Sequence, residues 1–282
     1  MGIVKTEVGV IGVSEAGAVG ETPILFLHGV GSDKSVWRPQ LEHFGRSRRA
    51  IAIDYPGYGD SEMRAGADRD DFARAAFAAL DALGVDRAHI CGLSLGGVVA
   101  IAMAHLAPDR CASLILADTF AMHPDGQAIY DRSVAASRTM PMAELAALRA
   151  PSLLGGGASE AIRAEIVVTM GRIDPAAYRQ GAQAVWLADQ REQVTAIAVP
   201  TLVLVGEEDK ITPPALSLEL ATLVGSSAVQ PPLVDYVLIP SAGHLGNLEQ
   251  PEAFNHAVDR FIAGLESPNE GATLHSVQGD GA

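Results

Sequence analysis

The chain has 282 residues, 48% of them hydrophobic and 19% charged, with a formal net charge of −14. That length buries a substantial core, as one large α/β domain or two small ones. No apolar run approaches the ~18 residues of a membrane span, and no basic cluster is available to neutralise phosphates, which argues against nucleic acid or an anionic membrane as partner.

In chain order, Ile3 to Ser14 alternates β-branched and polar residues and predicts one or two short antiparallel strands at a sheet edge. Ile24-Leu25-Phe26-Leu27 is a continuous apolar run, as expected of a strand covered on both faces, and ends in His28-Gly29-Val30-Gly31. Ser35 to Phe44 has helical spacing. Arg49 to Ile53 is the next strand, followed by the turn-rich Asp54-Tyr55-Pro56-Gly57-Tyr58-Gly59. Asp71 to Leu83 reads as a helix closed by Gly84, Ala88 to Cys91 as a strand, Leu95 to Leu106 as a helix and Cys111 to Ala117 as a strand.

After Asp118-Thr119 the alternation stops. Residues 120–195 read mainly as helices (Gln127 to Thr139, Met142 to Ala150, Ser159 to Thr169, Pro175 to Asp189), an insertion of the kind that serves as a cap or lid. The sheet resumes at Pro200 to Gly206, then a helix from Pro214 to Leu223, a strand from Val234 to Ile239 and a last helix from Pro251 to Leu265. The expected organisation is a core of 1–119 and 196–265, the helical insertion, and an unstructured tail at 266–282 in which His275 has no claim to catalysis. Alternating strands and helices imply an α/β fold with a mostly parallel sheet of roughly eight strands and helices on both faces, whose ligands bind at the carboxyl ends of the strands.

Cys91 and Cys111 lie in apolar runs and are expected as buried reduced thiols, which with the lack of a secretory signal points to the cytoplasm. Met1-Gly2-Ile3-Val4-Lys5-Thr6 formally fits a myristoylation pattern, but no second anchoring signal stands beside it.

The chemistry centres on Gly92-Leu93-Ser94-Leu95-Gly96. This spacing suits a sharp strand-to-helix turn that holds a serine hydroxyl clear of the chain, although a loop of small residues has the same composition. A serine hydroxyl is a weak nucleophile and needs a base and a group to orient that base. His244 and Asp209 each follow a predicted strand, in the chain order expected for such a turn. Singly, His244 is equally a loop histidine bonded to a carbonyl, and Asp209 a turn aspartate. Asp118, Glu207 and Glu208 compete with Asp209 for the acid's place. The backbone N–H groups of Val30 and Leu95 are positioned to serve as oxyanion donors, and His28 is a candidate brace for the loop that carries Val30.

These segments together resemble the α/β-hydrolase fold superfamily. Leu27 to Ser32, Asp54 to Ser61, Gly92 to Gly97, Gly206 to Pro213 and Ala242-Gly243-His244 are similar to its recurrent motifs, in order. Ser32 to Trp37, Val199 to Pro214 and Gly243 to Pro251 are most similar to 3-oxoadipate enol-lactonase-like and esterase members. The resemblance implies a serine nucleophile rather than the aspartate of dehalogenases, with Asp209 as the acid because it precedes Lys210-Ile211-Thr212-Pro213. Leu245 stands where C–C bond hydrolases carry tryptophan.

The expected function is hydrolysis of a carboxylic ester or lactone of a small, largely apolar substrate, by a monomer or homodimer with no cofactor and no metal. Trp37, Trp186 and Leu245 are the candidate substrate contacts. Met122, Met140, Met142 and Met170 are further apolar candidates, and Arg138, Arg163, Arg172 and Arg191 are the cations considered for a substrate carboxylate. The alternatives are a C–C bond hydrolase, lyase or perhydrolase on the same residues, and a non-catalytic receptor for a small ligand.

Overall fold

The structure, a computed structural model, describes residues 2–18 and 20–267. Eight strands form one sheet: β1 (Gly2–Thr6), β2 (Gly9–Ala16), β3 (Glu21–Leu27), β4 (Arg48–Ile53), β5 (Ala88–Leu93), β6 (Cys111–Ala117), β7 (Thr201–Gly206) and β8 (Val234–Ile239). Their order is β1-β2-β4-β3-β5-β6-β7-β8. β2 runs antiparallel to both of its neighbours, and every other pairing is parallel. The order reverses at β3, so the ends of β3 and β5 lie side by side, which is where a doubly wound sheet opens a crevice.

Both faces of the central strands are buried, which is why they read as unbroken apolar runs. In β3, Leu25 and Leu27 pack on one side with α2 (Arg69–Ala82) and α3 (Leu95–Leu106). Ile24 and Phe26 pack on the other with α1 (Arg38–Phe44) and α11 (Pro251–Glu266). The period-two alternation of a strand divides neighbouring residues between two cores. Cys91 and Cys111 are both free and buried, and burial pushes the Cys91 thiol well up and the Cys111 thiol up to about 12.

Helix starts follow from local chemistry. Asp68 and Asp71 form a reciprocal capping box at α2, each side chain accepting the other's backbone N–H. Between β6 and β7 come five helices: α4 (Gly126–Thr139), α5 (Met142–Leu153), α6 (Glu160–Gly171), α7 (Pro175–Trp186) and α8 (Arg191–Thr195). Ser159 caps α6 and Asp174 caps α7, with Pro175 at its first position. The last elements are α9 (Pro214–Leu223), the short α10 (Gly246–Glu249) and α11.

Three expectations are corrected. The helix expected from Ser35 begins as a tighter 3-10 turn at Lys34–Trp37, capped by Asp33, and becomes α1 only at Arg38. The helix expected to reach Asp189 stops at Trp186, because Asp189 bridges to Met122 instead. Glu266 belongs to α11 rather than to a tail: its two carboxylate oxygens accept from the Arg48 guanidinium at 2.8 and 2.9 Å, which anchors the helix end to β4. Residues 268–282, His275 among them, lie outside the described residues. No described helix is long and apolar enough to cross a membrane.

Candidate active site

Ser94 sits between β5 and α3 with φ 56° and ψ −112°, in the region that disfavours any residue with a Cβ. Such backbone costs on the order of 1–3 kcal/mol and persists only where neighbours hold it. They do so here. Ser94 N donates to Ala117 O at 2.9 Å, and Ser94 O accepts from Gly97 N at 2.9 Å and from the Thr119 hydroxyl at 3.0 Å. The flanking glycines are sterically required: a Cβ at Gly92 would strike Gly96 O, and one at Gly96 would strike Leu27 O.

His244 lies in the loop after β8. Its Nδ1 is 2.8 Å from Asp209 Oδ2, so Nδ1 carries the proton and Nε2 is left free. Asp209, after β7, is buried and well supplied with donors. Its Oδ1 accepts from the N–H groups of Ile211 (2.7 Å) and Thr212 (3.0 Å), and its Oδ2 from the Thr212 hydroxyl (2.6 Å). Burial alone would raise this carboxyl, but the facing His244 and the Thr212 donors outweigh it and hold it at about 2.

The other acids separate clearly. Glu207 accepts from Ser241 N and Glu208 from Gly156 N, both on the surface. Asp118 is different. It directly follows β6 with φ 48°, is fully buried, and its Oδ1 accepts from Gly206 N at 2.8 Å. Burial first, and then the Asp209 charge, push its carboxyl well above the ordinary range, so the neutral acid is favoured. Asp118, Asp209 and His244 present side-chain atoms within 4.8 Å of one another, a spacing that a metal ion could use. Those atoms are already committed to each other, to Thr212 and to Gly206 N, so the cluster reads as one hydrogen-bonded network.

The loop after β3 packs over Ser94: a Cβ at Gly29 would stand 3.5 Å from that of Ser94. Neither Val30 N–H nor Leu95 N–H donates to a protein acceptor among the described residues. His28 braces the loop as a buried neutral imidazole. Its Nδ1 donates to Gly29 O at 2.8 Å, its Nε2 accepts from Tyr55 N at 3.3 Å, and burial lowers its pKa. Farther along the loop, Lys34 N donates to Asp54 Oδ1 at 2.8 Å while Lys34 Nζ pairs with Asp54 and Asp60.

A cavity joins these parts. Gly29, Val30, Ser94, His244 and Leu245 line one side; Arg149 and Leu153 of α5, Glu165, Ile166 and Met170 of α6, and Trp186 of α7 line the other. Trp186 and Leu245 are thus among the residues that line this cavity. Trp37 is not: it is wholly buried, stacked on Phe26 at 4.9 Å and 6.0 Å from Phe254, because its turn faces the α11 side of the sheet. Of the methionines considered, Met170 lines the cavity, whereas Met140 and Met142 pack into the core and Met122 bridges to Asp189. Arg163 pairs with Glu160 and Arg191 with Asp189, while Arg138 and Arg172 line neither this cavity nor its neighbour. The cation in the cavity wall is Arg149, which no spacing rule distinguishes from other helix-surface arginines.

Two further residues escaped sequence reasoning. Thr212 was visible only as part of a motif, although a hydroxyl three residues after an aspartate is a common turn bond. Glu249 gathers three N–H groups, accepting from Gly243 (3.0 Å) and Leu245 (3.3 Å) at Oε1 and from Gly155 (2.7 Å) at Oε2. With His244 N donating to Leu153 O at 2.9 Å, it ties the histidine loop to the end of α5.

Residues 24–257 match the model of the alpha/beta hydrolase family. The chain is 29% identical over 244 residues to 3-oxoadipate enol-lactonase 2 of Acinetobacter baylyi, covering 85% of this chain and 88% of that one. It superposes on the enol-lactonase of Burkholderia xenovorans with a TM-score of 0.84 at 25% identity, over 93% of this chain and 100% of the other. A thermophilic esterase from Thermogutta terrifontis gives the same TM-score, 0.84, at 27% identity over 94% and 98%. The sheet order, the strained serine after β5 and the extent of the family match lead to one conclusion: the chain belongs to the alpha/beta hydrolase family.

Proposed function

We propose that the protein is a cofactor-independent serine hydrolase that cleaves a carboxylic ester or lactone through an acyl-enzyme. The observation that carries this is the 2.8 Å bond between Asp209 Oδ2 and His244 Nδ1, in a histidine that shares its cavity with Ser94.

In this mechanism Ser94 Oγ attacks the carbonyl carbon while His244 Nε2 takes its proton. The carbonyl oxygen becomes an oxyanion and receives the N–H groups of Val30 and Leu95. Collapse breaks the bond to the leaving oxygen, which takes the proton from His244; in a lactone that alcohol stays attached to the acyl chain. Water then gives a proton to His244 and attacks the ester carbon, and Ser94 recovers its proton as the acid leaves. Asp209, ionised at any working pH, orients the imidazole and offsets its transient charge. Residues 120–195 act as a cap, with Trp186 and Leu245 contacting the apolar part of the substrate.

The test is a panel of esters, lactones and vinylogous diketones, with Ser94→Ala as control and an active-site-directed phosphonate as label. Turnover of esters or lactones, a loss of about 10⁴-fold or more in Ser94→Ala, and labelling at Ser94 are expected. Unchanged turnover in Ser94→Ala refutes the mechanism, and cleavage of diketones alone assigns C–C hydrolysis instead.

A further inference from the structure

We infer that a second cavity, between α4, α5 and the segment after β7, is a subsite for a carboxylate at the end of the substrate remote from the reacting bond. The inference rests on Ser94 being the nucleophile.

The two cavities share Arg149 and Trp186 as a common wall. Their sizes differ sharply. The chamber beside Ser94 has a volume of about 40 Å³, room for about three waters at the ~10–15 Å³ that each requires. It accommodates the reacting carbonyl and a few neighbouring atoms. The outer groove has about 680 Å³, within the range of ~300–1,000 Å³ typical of ligand sites. A substrate reacting at Ser94 therefore places most of its bulk outside, past Arg149 and Trp186.

The charge of the outer groove is opposite to that of the chain. The protein has 34 acidic and 20 basic residues, yet the groove presents Arg132, Arg149 and Lys210 against a single acid, Asp125. None of these three cations is in an ion pair among the described residues. His123 adds no charge: its Nδ1 accepts from Asp125 N, its Nε2 donates to Ile211 O, and burial lowers its pKa.

Arg149 is half-buried at the junction, and its Nη1 donates to the Tyr178 hydroxyl, which fixes the guanidinium while leaving other N–H groups for a carboxylate. Glu165, the acid in the inner wall, is instead drawn to Arg38 at 3.3 Å. Between the cations, Ile129, Leu145, Leu148 and Ile211 supply an apolar wall suited to a methylene chain. The chemistry specified is an ester or lactone whose acyl chain ends in a carboxylate.

The experiment compares methyl hydrogen adipate and methyl hydrogen suberate with methyl hexanoate and methyl octanoate on the whole protein. The expected charged-to-neutral ratio of kcat/KM is about tenfold or more, the scale of one charge-assisted hydrogen bond. That ratio is expected to fall towards one in Arg149→Gln, through KM for the charged ester. Because Arg149 also holds Tyr178, the double variant Arg132→Gln/Lys210→Gln, altering two exposed side chains, is measured in parallel and lowers the ratio in part. A ratio near one in the unaltered protein, or a ratio untouched by either variant, overturns the subsite. Failure of the parent mechanism shows differently, as hydrolysis of any of these esters by Ser94→Ala.

Discussion

Asp118 and Asp209 face each other across the ends of β6 and β7, with their carboxyl atoms and the His244 imidazole all within 4.8 Å. Two buried carboxyls this close do not both ionise. Asp209, supplied with the His244 and Thr212 donors, takes the charge, and Asp118 holds the proton. The exchange of roles is testable. Asparagine at 118 can still accept from Gly206 N and donate to Asp209, so Asp118→Asn is expected to keep kcat within a few-fold of the unaltered protein, whereas Asp209→Asn loses about 10³–10⁴. The opposite pattern makes Asp118 the acid.

The same pair has a consequence for stability. A carboxyl raised in the folded state releases its proton more readily when unfolded, so Asp118 lowers stability as pH rises above its unfolded value of about 3.9. Asp118→Asn removes that loss. Urea denaturation is expected to show the variant more stable than the unaltered protein by about 1 kcal/mol or more at pH 8, and the gap closing near pH 4. A gap that does not change with pH contradicts a protonated Asp118.

The Thr212 hydroxyl lies 2.6 Å from Asp209 Oδ2 and 3.3 Å from His244 Nδ1. Removing it with Thr212→Val, a change of similar shape, leaves Asp209 short of one donor. The loss of a hydrogen bond to a charged group corresponds to about a tenfold fall in kcat, with KM little changed. A change confined to KM would show that Thr212 acts on binding rather than on the histidine.

Trp37 and Trp186 should respond to truncation in different ways. Trp37→Ala opens a cavity in the core under β3 and is expected to cost about 3–5 kcal/mol in chemical denaturation. Trp186 is also buried, but it walls both cavities, so Trp186→Ala additionally shifts KM and the preference among acyl chain lengths. Stability loss without any change in selectivity at 186 would place it with Trp37.

His89 gives a pH signature far from the site. Burial, against the opposing pull of Glu266, brings its imidazole down to about 4, and its Nδ1 bonds the Ser113 hydroxyl at 2.8 Å. The unfolded chain protonates it near 6.5, so its contribution to stability is lost as pH falls from about 6.5 to about 4. His89→Gln abolishes this, and on acidification across that window it should gain on the unaltered protein by on the order of 3 kcal/mol. Parallel pH profiles for the two proteins would show that His89 does not titrate this way.

The elements and their order were legible because each β strand here is a short apolar or alternating run and several helices have a cap or stop, although α5 runs on through Pro151 to Leu153. Leu95–Leu106, Cys111–Ala117 and Val234–Ile239 begin and end where the sequence places them. That Ser94, Asp209 and His244 come together was legible for a related reason: each follows a strand, and a parallel sheet brings strand ends to one rim. The serine turn that organises the site needs Gly92 and Gly96, and both are visible in the sequence.

What only tertiary structure decided is what surrounds those residues. Pattern does not say which side of a two-faced sheet a residue meets, so Trp37 fell to the core and Trp186 to the cavity. It does not say that Asp118 shares a buried space with Asp209 and must keep its proton, since the two are far apart in sequence and meet only when β6 and β7 pair. Nor does it distinguish Arg149 from the other arginines of the insertion. Burial and charge proximity are properties of packed neighbours, and they set the electrostatics around Ser94.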